Sequence, residues 1–229
     1  MKVGACDIQF LGHSGFLIKN GKRIAIDPYK VSESVEPVDV ILITHDHHDH
    51  CSVKDIQRLV KEGTIVIGPA HVQSSVMKVE GVHLQPIEVG DEAELDDVKI
   101  EAVAAYNINK FRDKEKKIVF HPKSEGYVGY VIKMGTTVVY HSGDSDFIPE
   151  MKNLTGHGKK GNLFVTLLPV SGTYVMDVDE ASEVAEALHP DIAIPMHYGA
   201  GVVGTLEDAQ RFVELCKEKG VHAEILEKI

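Results

Sequence analysis

The sequence has little of what marks several common classes of protein. Its 229 residues include no tryptophan, and 24 basic side chains are outnumbered by 35 acidic ones, for a formal charge of −11. A nucleic-acid surface needs a basic face to displace counterions from phosphates, so we expect no nucleic-acid partner. A helix needs about 20 apolar residues to span a bilayer, and every apolar run here is shorter, so we also expect no membrane partner.

Cysteine is scarce as well. Cys6, Cys51 and Cys216 are odd in number, far apart and outside any CxxC pair, so they give no indication of a disulfide framework. The first residues, MKVGACDIQF, lack the long apolar core and cleavage site typical of a signal peptide. These two absences predict a cytoplasmic protein.

The order of the predicted elements divides the chain into alternating blocks. Blocks rich in short strands cover residues 6–26 and 82–140, and blocks in which strand and helix alternate cover residues 38–77 and 163–226. The last predicted element is a strand over residues 222–226. No linker rich in proline, glycine or serine separates the blocks. The pattern predicts an α/β (α+β) protein of two similar halves, in a single domain over residues 1–229.

The most informative segment is THDHHDH at residues 44–50, directly after a predicted apolar strand. Side chains at alternate positions of an extended chain point the same way, so His45 and His47 can bind one cation together. Asp49 and His50 lie beyond the bend and can reach a second position. Imidazole nitrogens and carboxylate oxygens suit zinc, with Mn or Fe as alternatives, so the segment predicts a site for one or two metal ions.

Two later strands end in further candidate ligands. Apolar residues 138–140 lead into HSGD, which ends at Asp144, and residues 192–195 lead to His197. Ligands bind beyond the C-terminal ends of strands in α/β sheets. Singly, Asp144 fits a turn and His197 fits an ordinary strand-end histidine; together with the first cluster they favour metal binding.

In this order the motifs resemble those of the metallo-β-lactamase superfamily. The likeness is closest to its compact metal-dependent hydrolases of the ascorbate-phosphate-lactonase-like and N-acyl-phosphatidylethanolamine phospholipase-like type, and it covers nearly the whole chain. The motifs that carry it are LGHSGFLI at residues 11–18, IDP at 26–28, HxHxDH at 45–50, HSGD at 141–144 and PMHYG at 195–199. The resemblance implies a metal-dependent hydrolase with a four-layer αββα sandwich of two similar halves.

The resemblance also implies two ligand sets joined by a bridging carboxylate, Asp144. The other implied ligands are His45 and His47 for metal 1, and Asp49, His50 and His197 for metal 2.

One position departs from the family. A third histidine normally completes metal 1 at the place that Asn107 occupies here. His121, before the next predicted strand, is a candidate replacement, and it fits an ordinary loop histidine equally well. If neither residue binds, metal 1 is weak, and the protein works with one ion or needs a substrate atom to complete the site. Asn107 also favours the alternative function, that of a non-catalytic binding or regulatory protein with a degraded metal 1 site.

Three further polar side chains lie in the same motifs. Asp27 fits a residue that hydrogen-bonds the metal-binding loop, and it fits equally a turn aspartate before Pro28. His13 and His141 fit either the lining of a pocket or packing in the core.

The predicted reaction is metal-assisted hydrolysis. A zinc-type ion lowers the pKa of its water to about 7, and Asp49 would orient that water and take up its proton. A small phosphoester, phosphodiester or lactone suits so compact a chain. The basic stretch from Lys110 to Lys123 fits either a solvated loop or a rim that attracts an anion, and we expect a small, anionic substrate.

Overall fold

Short apolar runs in the first 86 residues pair into one sheet, whose strands follow one another in the order of the sequence. They are described by a computed structural model, which covers residues 1–159 and 161–229. The strands are β1 (Lys2–Val3), β2 (Cys6–Gly12), β3 (Gly15–Asn20), β4 (Lys22–Ile26), β5 (Val40–Leu42), β6 (Ile65–Gly68) and β7 (Leu84–Pro86). Neighbours from β1 to β4 are antiparallel, and those from β4 to β7 are parallel.

The later strands form a second sheet of similar design. In spatial order it contains β15 (Ile192–Met196), β14 (Leu163–Pro169), β13 (Thr137–His141), β12 (Val128–Met134), β9 (Val98–Ala104) and β8 (Glu92–Leu95). Neighbours among β13, β14 and β15 are parallel, and the others are antiparallel. A separate hairpin pairs β10 (Phe111–Asp113) with β11 (Ile118–Val119).

The helices are short, and the longer ones begin with reciprocal capping bonds. They are α1 (Val53–Leu59), α2 (Gln73–Val76), α3 (Val178–Leu188) and α4 (Leu206–Glu218), with 3₁₀ turns at Ala70–Val72, Lys123–Glu125 and Pro149–Leu154. Asp177 and Glu180 cap α3, and Thr205 and Asp208 cap α4, each side chain bonding the other's backbone N–H. None of the helices that the structure describes is long and apolar enough to cross a membrane.

Alternate side chains of the first sheet face opposite layers, as expected for a pleated strand. In β3, Phe16 belongs to the central core with residues of β12, whereas Leu17 belongs to an outer core with Ile56 of α1. Val184 of α3 and Phe212 of α4 pack with residues of the second sheet. The layers of the described chain are therefore helix, sheet, sheet and helix, which confirms the predicted αββα fold class.

One predicted strand is absent. Residues 222–226 form only an isolated bridge, between Ala223 and Ala193 of β15. Beyond it the chain crosses to the first sheet, where the Ile229 N–H donates to the Phe10 carbonyl at 3.1 Å. A segment that runs from one sheet to the other cannot follow either edge, so its alternating pattern does not produce a strand.

The fold brings the candidate residues to one edge of the sandwich. Most of them follow the C-terminal end of a strand of the two large sheets, where the crevice of an α/β sheet forms. In chain order these are Asp27 after β4, residues 44–50 after β5, Asn107 after β9, Asp144 after β13 and His197 after β15.

Two fully buried tyrosines in neighbouring strands test how the two sheets are joined. The Tyr130 hydroxyl donates to the Ile43 carbonyl at 2.6 Å across the sheets, whereas the Tyr140 hydroxyl has no hydrogen-bond partner among the described residues. We expect Tyr130→Phe to lower the free energy of unfolding by about 1–2 kcal/mol and Tyr140→Phe to change it by less than about 0.5 kcal/mol. Urea unfolding followed by circular dichroism measures both, and equal losses would contradict the assignment.

Candidate metal centre

The loop after β5 turns sharply and sends its side chains to two places. The His50 and Cys51 N–H groups donate to the same His47 carbonyl, at 3.0 and 2.8 Å. His45 and His47 lie before this turn, and Asp49 and His50 lie within it. The two pairs accordingly fall into two different clusters of potential ligands.

The first cluster consists of His45, His47, His121 and Asp144, and its ligand-type atoms all lie within 4.8 Å of one another. His47 Nδ1 is 3.0 Å from His45 Nε2 and 3.2 Å from His121 Nε2. The structure therefore brings His121 to the two histidines predicted for metal 1. The sequence alone does not show this contact, because His121 lies far along the chain from His45 and His47.

The second cluster consists of His13, Asp49, His50 and His197, again with ligand-type atoms within 4.8 Å of one another. It contains the three residues predicted for metal 2. His13 joins them: its Nε2 is 2.9 Å from Asp49 Oδ2, and its carbonyl accepts the His197 N–H at 2.7 Å. The prediction for His13 left lining and packing open, and the structure places the ring inside the site.

Asp144 lies between the first and the second cluster. Its Oδ2 is 3.4 Å from His121 Nε2 and 3.3 Å from His197 Nε2, and its Oδ1 is 3.3 Å from His50 Nε2. The carboxylate thus reaches members of both clusters, as a bridging ligand would.

A tight turn presents Asp144. His141 Nε2 donates to the Ser14 carbonyl at 2.8 Å, and His141 Nδ1 accepts the Gly143 N–H at 3.1 Å. Gly143 has a φ of +62°, and a Cβ there would lie 2.6 Å from the Val128 carbonyl oxygen, so the turn requires glycine. Both ring nitrogens of His141 are used by backbone groups, and His141 therefore packs and supports the turn.

Donor atoms within the clusters fit a bound cation. Four buried atoms of the clusters have no hydrogen-bond partner within residues 1–159 and 161–229: His13 Nδ1, and the group of three formed by His50 Nε2, His197 Nε2 and Asp144 Oδ1. Each such atom left unpaired in the interior costs about 1–3 kcal/mol. A cation held between them would satisfy all three, and histidine nitrogens with carboxylate oxygens are the donors that zinc and similar metals accept.

The charge states of these residues also suit a metal. Burial lowers the pKa of both His13 and His121 to about 4, so their rings are neutral at pH 7. Burial would lower the pKa of His50 too, but Asp144 and Asp27 outweigh it and raise that pKa well above its ordinary value. Carboxylates that stabilise a proton on His50 would equally stabilise a metal ion in its place.

Asp27 is fully buried and braces the loop. Its Oδ1 accepts the Thr44 N–H at 2.8 Å, and its Oδ2 accepts the Thr44 hydroxyl at 2.6 Å and the His50 Nδ1–H at 2.8 Å. The same hydroxyl lies 2.9 Å from His45 Nδ1. With Nδ1 engaged, both histidines turn Nε2 towards the clusters. These contacts favour a loop-orienting role for Asp27 over that of a simple turn residue.

Asn107 and His121 act together rather than as alternatives. Asn107 Nδ2 donates to Asp146 Oδ1 at 3.0 Å and to the Tyr174 carbonyl at 2.9 Å, so its Oδ1 is the free acceptor. This Oδ1 accepts both the backbone N–H and the Nδ1–H of His121 at 2.9 Å. His121 therefore carries its proton on Nδ1 and presents the Nε2 lone pair to the first cluster, while Asn107 lies outside both clusters.

Sequence reasoning missed several polar residues that orient the ligands. Thr44 connects Asp27 to His45, Asp146 holds Asn107, and the Ser171 hydroxyl lies 2.9 Å from His197 Nδ1. Ser171 could have been predicted from its position, because it follows the C-terminal end of β14 at the same edge of the sheet. Asp146 could not have been predicted in this way, because its partner, Asn107, lies in a distant loop.

A pocket of about 190 Å³ opens beside the two clusters. It is lined by His47, His48, Asp49, Phe120, His121, Asp144, Tyr174, His197 and Val202. Of residues 110–123, only Phe120 and His121 line it. Lys110 pairs with Glu180 at 2.5 Å and Lys123 pairs with Glu150 at 2.6 Å, so these two lysines are engaged with acidic neighbours.

Known proteins resemble this chain over most of its length. Residues 7–197 match the family described as the β-lactamase superfamily domain. A metal-dependent hydrolase of Thermoplasma acidophilum is 30% identical over 223 residues, 94% of this chain and 93% of that protein. A solved structure from Parabacteroides distasonis, assigned as a metal-dependent hydrolase, has a TM-score of 0.77 at 29% identity and covers 97% of this chain and 94% of that one.

A more distant structure agrees in fold. A metallo hydrolase of Ignicoccus hospitalis has a TM-score of 0.73 at 23% identity, covering 97% of this chain and 95% of that chain. The chain belongs to the β-lactamase superfamily domain family, so the predicted superfamily and fold are confirmed. The relatives' names agree with the predicted enzyme class, metal-dependent hydrolase, and leave the subgroup a prediction.

Replacing His121 tests its place in the first cluster. We expect His121→Ala to bind about one ion fewer per chain after zinc loading and desalting, because two histidines and a shared carboxylate make a weak zinc site. Metal content by inductively coupled plasma mass spectrometry measures this. His83→Ala, which removes an exposed histidine outside both clusters, should bind as much zinc as the unaltered chain. Unchanged zinc in His121→Ala would identify His121 as an ordinary loop histidine.

A second substitution tests the brace. Asp27→Asn should weaken zinc binding by about 10–100-fold, as is typical when a residue that orients a ligand is lost. Asp55→Asn is the matched control, because Asp55 is another buried aspartate that accepts backbone N–H groups, from Lys30 and Val31, away from the clusters. It should lower stability without weakening zinc binding. Competition with a chromogenic chelator measures the zinc affinities. An equal loss of affinity in the two variants would contradict the loop-orienting role of Asp27.

Proposed function

We propose that this chain is a metal-dependent hydrolase that uses water to cleave a small ester-type substrate, either a phosphoester, a phosphodiester or a lactone. The observation that carries the proposal is the pair of clusters, with Asp144 of the first cluster 3.3 Å from His50 and His197 of the second and unpaired donor atoms beside a small pocket. Membership of the superfamily and the names of its relatives support the same class of reaction.

The proposed ligands follow from the two clusters. One ion would be held by His45, His47 and His121, a second by Asp49, His50 and His197, and Asp144 would contribute to both. The donor set suits zinc, with Mn or Fe as alternatives. When bound, such an ion makes water nucleophilic at neutral pH and polarises the oxygen of the bond under attack.

The chain's own residues supply orientation and proton transfer. Asp49 is the group that we propose to orient the water and accept its proton. Burial would raise the pKa of Asp49, but the His13 hydrogen bond and the neighbouring His50 outweigh it and lower the pKa, so the carboxylate is ionised at neutral pH. His13 holds one oxygen of that carboxylate in place.

The alternative function, a non-catalytic binding protein, drew its support from Asn107. That support weakens, because Asn107 orients His121, and His121 offers a nitrogen to the first cluster.

Activity measurements test the proposal. We expect the zinc-, manganese- or iron-loaded chain to hydrolyse at least one member of a panel of chromogenic phosphomonoesters, phosphodiesters and lactones. Removing the metal with a chelator should abolish this activity, and Asp144→Ala should reduce it by about 100-fold or more, since both ions lose a ligand. His222→Ala, an exposed histidine outside both clusters, is the control. Full activity in Asp144→Ala would contradict the proposed bridge.

A further inference from the structure

We infer that the pocket beside the clusters selects an uncharged acyl substrate, an ester or lactone with an apolar acyl group, over an anionic phosphoester. The inference rests on the proposed function and narrows its substrate class. Three features of the pocket carry it: its wall, the attachment of that wall, and the charges around it.

The pocket has a polar floor and an apolar wall. Residues of the two clusters and His48 form the floor, and Phe120, Tyr174 and Val202 form the wall. The rings of Phe120 and Tyr174 meet edge to face, with centroids 4.7 Å apart and planes at 79°. Such a pair offers an apolar surface of defined shape, and a pocket of about 190 Å³ leaves room for a small group against it.

This wall is attached directly to the candidate metal centre. The Tyr174 carbonyl accepts hydrogen bonds from Asn107 Nδ2 at 2.9 Å and from His121 Nδ1 at 3.1 Å, and Phe120 is the residue before His121. An acyl group packed against these rings is therefore held at a set distance from the donor atoms of the first cluster. Positioning of this kind is what brings a carbonyl carbon within reach of water.

The basic side chains near this pocket are not placed to bind an anion in it. No lysine or arginine lines this pocket in the part of the chain that the structure describes. Lys110 and Lys123, which flank the wall in the sequence, are paired with Glu180 and Glu150. The proposed ions at the floor would attract a phosphate, but against the wall it would lack the arginine or lysine that commonly binds it, and burying its charge beside aromatic rings is unfavourable. An uncharged acyl group meets neither penalty.

The reaction inferred is hydrolysis without any co-reactant other than water. A bond forms between the water oxygen and the acyl carbon, and the bond between that carbon and the ester oxygen breaks. One water proton leaves by way of Asp49 to the departing alcohol oxygen, and the other remains on the carboxylic acid. In a lactone both products stay in one molecule.

A selectivity ratio tests the inference, because esters and phosphates differ in intrinsic reactivity. The ratio is kcat/KM for p-nitrophenyl phenylacetate divided by kcat/KM for p-nitrophenyl phosphate, measured on the zinc-loaded chain. We expect Phe120→Ala to lower it by about 10-fold, the effect of losing an aromatic contact and its buried area. Phe111→Ala, a phenylalanine outside the pocket, should leave the ratio unchanged. An unchanged ratio in Phe120→Ala with undiminished zinc content would overturn the inference.

A binding measurement separates this inference from the proposed function. Titration calorimetry with phenylacetamide and with phenyl phosphate gives a ratio of the two affinities, which Phe120→Ala should shift towards the phosphate by about 10-fold. If the chain hydrolyses no ester with any metal while the affinity ratio shifts, the hydrolase proposal fails and the acyl-binding pocket stands. If hydrolysis occurs and neither ratio shifts, the hydrolase proposal stands and the acyl pocket is wrong.

Discussion

A fully buried carboxylate surrounded by imidazoles is the constraint on which the rest of this structure depends. Asp144 lies within 3.8 Å of the Nε2 atoms of His45, His50, His121 and His197. Burying a carboxylate and several imidazole lone pairs away from water costs free energy unless hydrogen bonds or a cation compensate for the lost hydration. The surrounding chain supports this arrangement, because the outer ring nitrogens of His45, His50, His121 and His197 each have a hydrogen-bond partner.

Those partners come from both halves of the molecule. Asp27 and Thr44, at the strand ends of the first sheet, hold the outer nitrogens of His50 and His45. Ser171 and Asn107, at strand ends of the second sheet, hold those of His197 and His121. Each half thus sets the tautomer of its own histidines, and the site exists only where the two edges meet. This explains why similar αβ halves are packed face to face around one crevice.

The extent to which the site follows from sequence depends on how local each contact is. HxHxDH after an apolar strand is a local pattern, so His45, His47, Asp49 and His50 were predictable as a group, and the strand-end rule extends to Asp144 and His197. The sequence could not decide between His121 and Asn107 as the last ligand of the first cluster. The position of His121 depends on the Asn107 amide, whose orientation is set by Asp146 and Tyr174. The strand expected over residues 222–226 failed for a related reason, since only the packed sheets show that this segment crosses between them.

By itself the sequence determined the periodicities, the strand ends and the donor types, because these follow from spacing along one chain. These features predicted an α/β protein of two similar halves, a metal site and most of its candidate ligands, and the resemblance of the motifs to the metallo-β-lactamase superfamily added the αββα sandwich and the hydrolytic chemistry. Only the tertiary structure decided which histidine completes the first cluster, that His13 braces Asp49, and that the wall of the pocket is aromatic and uncharged. Those outcomes depend on contacts between residues far apart in sequence, whose hydrogen bonds and ion pairs are settled when the two sheets come together.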